Sequence, residues 1–204
     1  MQLIVHTMLT LDGVYQGPGG ADEDRRDGFD RGGWVAPYFD EAGGEFVTDV
    51  FRRADAFLLG RRTYDIFNAY WPKHADPSDP VANGLNTLPK YIASTTLKDP
   101  QWENSSVLEG DLESAVRTLK AREGGELQVH GSGQLARFLL EHDLVDRLNL
   151  LVFPVIVGAG RRLFPEQGIA TGLALEESRT TPSGVTMSVY RPTGRPEFRD
   201  VEGT

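Results

Sequence analysis

Apolar residues fall along the chain in short blocks whose spacing switches between that of a strand and that of a helix. Leu3 to Leu9 is a short apolar run and predicts a first strand. Asp12 to Trp34, rich in Gly, Asp and Arg without periodicity, predicts a long loop, and such length inside a compact domain goes with function or mobility. Phe46, Val47, Val50 and Phe51 recur at helical spacing and predict a helix over about Glu41 to Arg53. Ala56 to Leu59 is uninterruptedly apolar and ends at Gly60, the pattern of a strand covered on both faces. A helix carrying Tyr64, Ile66, Phe67 and Tyr70 follows and stops near Pro72.

His74 to Asn86, rich in Pro and Asp, predicts a loop, and Lys90 to Ser94 a third strand. Asp111 caps a helix in which Leu112, Ala115, Val116 and Leu119 fall at i, i+3, i+4 and i+7, and Gly124 ends it. Leu127 to His130 is a fourth strand, followed at once by Gly-Ser-Gly and a helix from Gln134 to Glu141. Arg147 to Val157 is a fifth strand, kinked at Pro154. Leu173 to Thr181 and Val185 to Tyr190 form a β-hairpin about Pro182-Ser183-Gly184. No internal repeat or linker divides the chain, so it reads as one domain, 1–191, with a flexible polar tail, 192–204. Strands alternating with helices predict an α/β fold. Its central sheet is mainly parallel, with a C-terminal antiparallel hairpin and helices on both faces.

Composition narrows the function. The chain has 204 residues, enough to close a core without staples. Its 30 acidic residues outnumber 21 basic ones, for a net charge of -9. That field repels nucleic-acid backbone and anionic lipid, so neither is expected as a partner, while a local basic pocket for a phosphate is still allowed. Cysteine is absent, which excludes thiol chemistry and Cys-ligated metals and suits a reducing cytoplasm. No leader pattern opens the chain, and no apolar run reaches the ~18 residues of a membrane span.

Two strand-to-helix turns carry the candidate chemistry. Gly131-Ser132-Gly133-Gln134-Leu135-Ala136 has the form G-x-G-x-x-(G/A), whose glycines let a phosphate approach a helix start. It lies in the second half of the chain, and no acid follows at the usual distance of about 20 residues, so a plain tight turn is the competing reading. Gly60-Arg61-Arg62-Thr63 places two cations where the helix dipole disfavours them, a conflict that an anion such as a 2′-phosphate or pyrophosphate resolves. Pairing of those arginines with Asp55 or Asp65 is the alternative. Ser94 and Thr95, with Thr96, form a polar strand end able to bond a phosphate. Among acids, Asp12 could meet a substrate or simply hold a turn. Asp40, Glu41 and Glu45 could relay a proton or form a solvated helix start. His6 and His130 lie within strands, the four histidines have no metal spacing, and no metal is expected.

In this order, TLDG, AFLLGRRTYDIF, KYIAST, VHGSGQLARFLL and LNLLVFPVIVGAGRRLF resemble the C-terminal reductase domain of the bacterial bifunctional riboflavin-biosynthesis deaminase-reductase, over about Gln2 to Tyr190. That resemblance implies a dihydrofolate-reductase-like three-layer fold of about eight strands, with NADPH across the carboxyl edge of the sheet. Gly60, Arg61, Arg62 and Thr63 would then hold phosphates, Ser94 and Thr95 would lie near the 2′-phosphate, and Gly131, Ser132, Gly133, Gln134 and Leu135 would cradle the pyrophosphate. Asp12, Asp40 and Glu45 compete as catalytic acids, with Asp12 and the loop after it bordering the nicotinamide and substrate. The resemblance also implies a homodimer through Val152 to Val157. The deaminase half's H-x-E and P-C-x-x-C zinc signature cannot exist without cysteine. The expectation is a stand-alone cytoplasmic NADPH-dependent reductase of a small heterocycle of pteridine or ribosylamino-pyrimidine type. A non-catalytic nucleotide-binding protein of the same fold and a dihydrofolate reductase are the alternatives.

Overall fold

A computed structural model describes residues 1–201. Its strands and helices follow the apolar blocks. β1 (Gln2–Thr10) is buried on both faces because Leu3, Val5 and Leu9 point one way and Ile4, His6 and Met8 the other. After a loop broken by two 3₁₀ turns come α1 (Glu41–Arg52), β2 (Ala54–Gly60) and α2 (Arg61–Tyr70). Then follow α3 (Pro80–Thr87), β3 (Lys90–Ala93), β4 (Ser105–Val107), α4 (Leu112–Lys120), β5 (Glu126–His130) and α5 (Gly133–Glu141). β6 (Arg147–Phe153), β7 (Gly172–Thr180) and β8 (Thr186–Gly194) close the order.

The eight strands form one sheet in the order β4-β3-β2-β5-β1-β6-β8-β7. From β4 to β6 every pairing is parallel, and β8 runs against both of its neighbours. The alternation of side chains along the strands builds two cores. Phe57 and Leu59 share one with Phe46, Val50 and Phe51 of α1, Tyr64 of α2 and Leu85 of α3. Ala56 and Leu58 share the other with Val116 and Leu119 of α4 and Leu135, Leu139 and Leu140 of α5. The mainly parallel sheet with helices on both faces and a terminal hairpin is therefore as expected, and its consequence is that the turns after β2, β3 and β5 gather at one carboxyl edge.

Four local expectations change. α3 lies within the stretch expected to be loop. Asp79 accepts from the Val81 N–H, Pro80 fills the first helical position, and Ala82 and Leu85 are buried. Fully buried Lys90 then ends α3, its Nζ donating to the carbonyls of Leu85 and Leu88 while it sits 4.6 Å over the Trp102 ring. Burial pushes that amine down to about 8. β4 adds an edge strand too short and polar to leave a pattern. β6 stops at Phe153, before Pro154, rather than running to Val157. β8 passes Tyr190 and pairs as far as Gly194 with Gly172, so ordered strand crosses the boundary drawn at 191; residues 202–204 of the expected tail lie outside the described residues.

Candidate functional site

A groove of about 1710 Å³ opens along the carboxyl edge. β2 and β5 are neighbours, so the glycine turns that follow them meet there. The Gly60 N–H donates to Ser132 Oγ at 3.0 Å. Ser132 Oγ donates in turn to Thr63 Oγ1 at 2.9 Å, and the Ser132 N–H reaches the same oxygen at 3.2 Å. Gly131 and Ser132 both adopt left-handed backbone, at φ 53° and 49°. For the serine this costs on the order of 1–2 kcal/mol, offset by those three hydrogen bonds. A Cβ on Gly133 would lie 2.5 Å from two ring carbons of Tyr15, so only glycine lets that ring rest against the turn.

Of the helix starts that line the groove, two, those of α2 and α5, have no side-chain cap. α1, α3 and α4 each carry an aspartate cap: Asp40 on the Gly43 N–H, Asp79 on Val81 and Asp111 on Ser114. α2 follows Gly60, which has no side chain, and α5 follows Ser132, whose hydroxyl is turned away to Gly60 and Thr63. Their first-turn N–H groups are the unsatisfied donors that bind anions.

The eleven residues expected at the cofactor all line this groove: Gly60, Arg61, Arg62, Thr63, Ser94, Thr95, Gly131, Ser132, Gly133, Gln134 and Leu135. Arg61 Nε bonds both oxygens of Asp65 at 2.9 Å, and its Nη1 lies 3.3 Å from Thr96 Oγ1, which sets it at the tip of β3. Ser94 Oγ accepts from the N–H groups of Thr96 and Leu97, and Thr95 is exposed beside it. Arg62 turns the other way, donating to the Glu23 carbonyl at 3.3 Å and lying 3.7 Å from Asp24. Its Nε is buried without a partner.

The loop after Asp12, which the resemblance puts beside the site, lines the groove from Tyr15 to Asp24, though no single residue of it stood out in the sequence. Its residues' only signal was an aromatic and a run of acids inside a loop of functional length. Burial pushes the Glu23 carboxyl up, although it accepts from the N–H groups of Gly19 and Gly20. Asp24 is held down: burial opposes ionisation there, but a two-bond contact with Arg26 outweighs it.

Asp12, Asp40 and Glu45 are not among the lining residues. Asp12 accepts from Thr10 Oγ1 and from the N–H groups of Val157 and Gly158. Burial works against its charge, and those bonds still keep its pKa below the usual value. It ties the turn after β1 to the segment after β6. Asp40 caps α1 with one oxygen and takes the Ser183 N–H with the other, pinning the hairpin turn, and these backbone bonds hold it at about 2. Glu45 is exposed on α1, as is Glu41.

The rest of the groove is apolar. Phe46 and Val47 of α1, Phe67 and Tyr70 of α2, Trp71 and Val81 line it, over a floor that includes His6, Met8 and His130. His6 and His130 stand opposite each other on paired strands and stack at 5.0 Å; Phe51 stacks on His130 at 4.5 Å. Gln128 donates its amide to the Val50 carbonyl, which leaves its Oε1 to accept from His130 Nε2 at 3.0 Å. Burial drives both rings to the neutral form, His130 down to about 3 and His6 well below its ordinary value with the help of His130 and Arg53. Arg26, Arg61 and Arg62 are the only lysine or arginine residues lining the groove among the described residues. Among the described residues no group of three or more His, Asp or Glu side chains is gathered as metal ligands would be.

Residues 1–187 match the family described as the RibD C-terminal domain. The uncharacterised protein YyaP of Bacillus subtilis (strain 168) is 27% identical over 195 residues, covering 95% of this chain and 96% of that one. The fold is similar to that of a putative riboflavin biosynthesis protein from Shewanella sp. PV-4, with TM-score 0.66, 23% identity, and 95% and 99% of the two chains covered. It is also similar to a diaminohydroxyphosphoribosylaminopyrimidine deaminase/5-amino-6-(5-phosphoribosylamino)uracil reductase from Thermotoga maritima. That comparison has TM-score 0.61 and 14% identity, and covers 94% of this chain but 56% of that larger one.

Proposed function

This chain belongs to the RibD C-terminal domain family, and from that premise we propose that it is an NADPH-dependent reductase of a small heterocycle of pteridine or ribosylamino-pyrimidine type. The observation that carries the reading is the pair of uncapped helix starts side by side on one groove, at Gly60 and Ser132. A dinucleotide needs two such anion sites a short distance apart. The residues fit one in three respects: free first-turn amides on α2 and α5, a buried Arg62 Nε without a partner, and a glycine at 133 where a Cβ would intrude.

Arg61, Ser94 and Thr95 would hold the 2′-phosphate at the β3 tip. Arg62 with the amides of Gly133, Gln134 and Leu135 would hold the pyrophosphate. When bound, the nicotinamide supplies the hydride, to a C=N or C=O bond. The protein's part is to orient the ring over the apolar half and keep water from it. No carboxylate of α1 lines the groove, so a proton would come from elsewhere than the first-helix place a dihydrofolate reductase uses. The same observation favours, as second reading, a nucleotide-binding protein without turnover. A homodimer through Val152 to Val157 is part of the same proposal, and the exposure of Ile156 supports it.

Titration with NADPH and NADH, followed by nicotinamide fluorescence, tests the reading. Binding of NADPH at least ~10-fold tighter than NADH is expected, the worth of one charge-assisted phosphate contact. Equal or negligible binding of the two would overturn it.

A further inference from the structure

The two halves of the groove differ in charge. All three lining cations belong to the phosphate turns and the loop over them: Arg61 to Asp65 and Thr96, Arg62 to Glu23, Arg26 to Asp24. The half walled by Phe46, Val47, Phe67, Tyr70, Trp71 and Val81 has none among the described residues, and the lining acid Asp79 is spent on the start of α3. Its floor adds no charge either. His6 and His130 are stacked against each other and under Phe51, and burial keeps both neutral at physiological pH. The Asn149 amide donates to His6 Nδ1 at 3.0 Å, so the ring proton sits on Nε2, a donor without a partner.

An anionic group entering this half would lose its water and find no cation in exchange. A flat, low-polarity ring would meet apolar and aromatic side chains instead, among them the edge-to-face Phe67–Trp71 and Tyr70–Trp71 pairs. We propose that the apolar half takes an uncharged, flat heterocycle without phosphate or carboxylate substituents, and discriminates against the phosphorylated or acid-tailed forms of the same ring. The proposal rests on the reductase reading above and narrows its substrate class. It separates this chain from any enzyme that must grip a ribosyl phosphate or a glutamate tail.

The test is a calorimetric titration of the full chain, saturated with NADP⁺ to prevent turnover, with matched pairs of ligands. One pair is 6-methylpterin and pterin-6-carboxylate; the other is a ribosylamino-pyrimidine with and without its 5′-phosphate. The uncharged member should bind at least ~10-fold tighter in one pair or both. Tighter binding of the charged members, equal binding, or no binding of either neutral ligand would overturn the proposal. Cofactor binding is measured first: if NADP⁺ and NADPH fail to bind, the reductase reading falls, and the pairs compared on the free protein still decide the substrate class. Val47→Arg places a cation in the apolar half and should shrink the preference by ~10-fold. An unchanged ratio in a variant that melts with the parent would also count against it.

Discussion

Arg61→Ala should raise the Kd for NADPH by about 10- to 100-fold and leave that for NADH nearly unchanged, while Arg62→Ala should weaken both. The difference follows from where the two neighbours point. Arg61 reaches the β3 tip beside Thr96, where the proposal puts the 2′-phosphate, the one group that distinguishes the two coenzymes. Arg62 turns toward the loop over the second glycine turn, where the pyrophosphate common to both would lie. A lost charge-assisted hydrogen bond is worth about 1.5–3 kcal/mol, which sets the expected range. Folding should hardly register the first change. The Arg61–Asp65 pair is a half-exposed i,i+4 contact worth only about 0.3–0.5 kcal/mol. Parallel fluorescence titrations and thermal melts of the two variants check this. Equal losses for both coenzymes in Arg61→Ala would remove the 2′-phosphate from that tip.

The larger effect is expected at the second turn. Gly133→Ala should cut affinity for NADPH and NADH alike by about a hundredfold, ~2.7 kcal/mol. The methyl would stand where backbone must come close to phosphate, at the first residue of α5. It would also meet the Tyr15 ring, with contacts of 2.5 Å that force the ring to move. The two causes separate in the double variant Tyr15→Ala/Gly133→Ala, which has room for the methyl. If the double variant folds and still binds poorly, the glycine serves the phosphates. If it binds like the parent, the glycine serves only the packing of Tyr15.

Local pattern was enough to locate the two glycine turns because each is written in consecutive residues: a buried apolar run, a glycine, then a helical repeat. The same holds for the sheet and for the terminal hairpin. Most of what stayed hidden depends on contacts distant in sequence, α3 being the exception. α3 hid behind the composition of a Pro- and Asp-rich stretch, although Asp79-Pro80 ahead of Val81, Ala82 and Leu85 is a cap, a first-turn proline and an apolar face. Asp12, Asp40 and Glu45 could not be ranked from the sequence, because a carboxylate's role is set by the N–H groups it faces. For Asp12 and Asp40 those belong to Val157, Gly158 and Ser183, more than a hundred residues away. The apolar half of the groove draws Phe46, Phe67 and Val81 from three different helices, and no spacing rule brings them together. His6 and His130 form a stack only because parallel pairing of β1 with β5 puts them at one height.

Backbone amide exchange on the full chain, with and without NADPH, reads the two helix starts directly. The amides of Arg61, Arg62 and Thr63 and those of Gly133, Gln134 and Leu135 should slow together and reach saturation at the same coenzyme concentration, since one molecule spans both. Slowing at only one of the two turns, at neither, or at two separate concentrations would mean that no single dinucleotide bridges them.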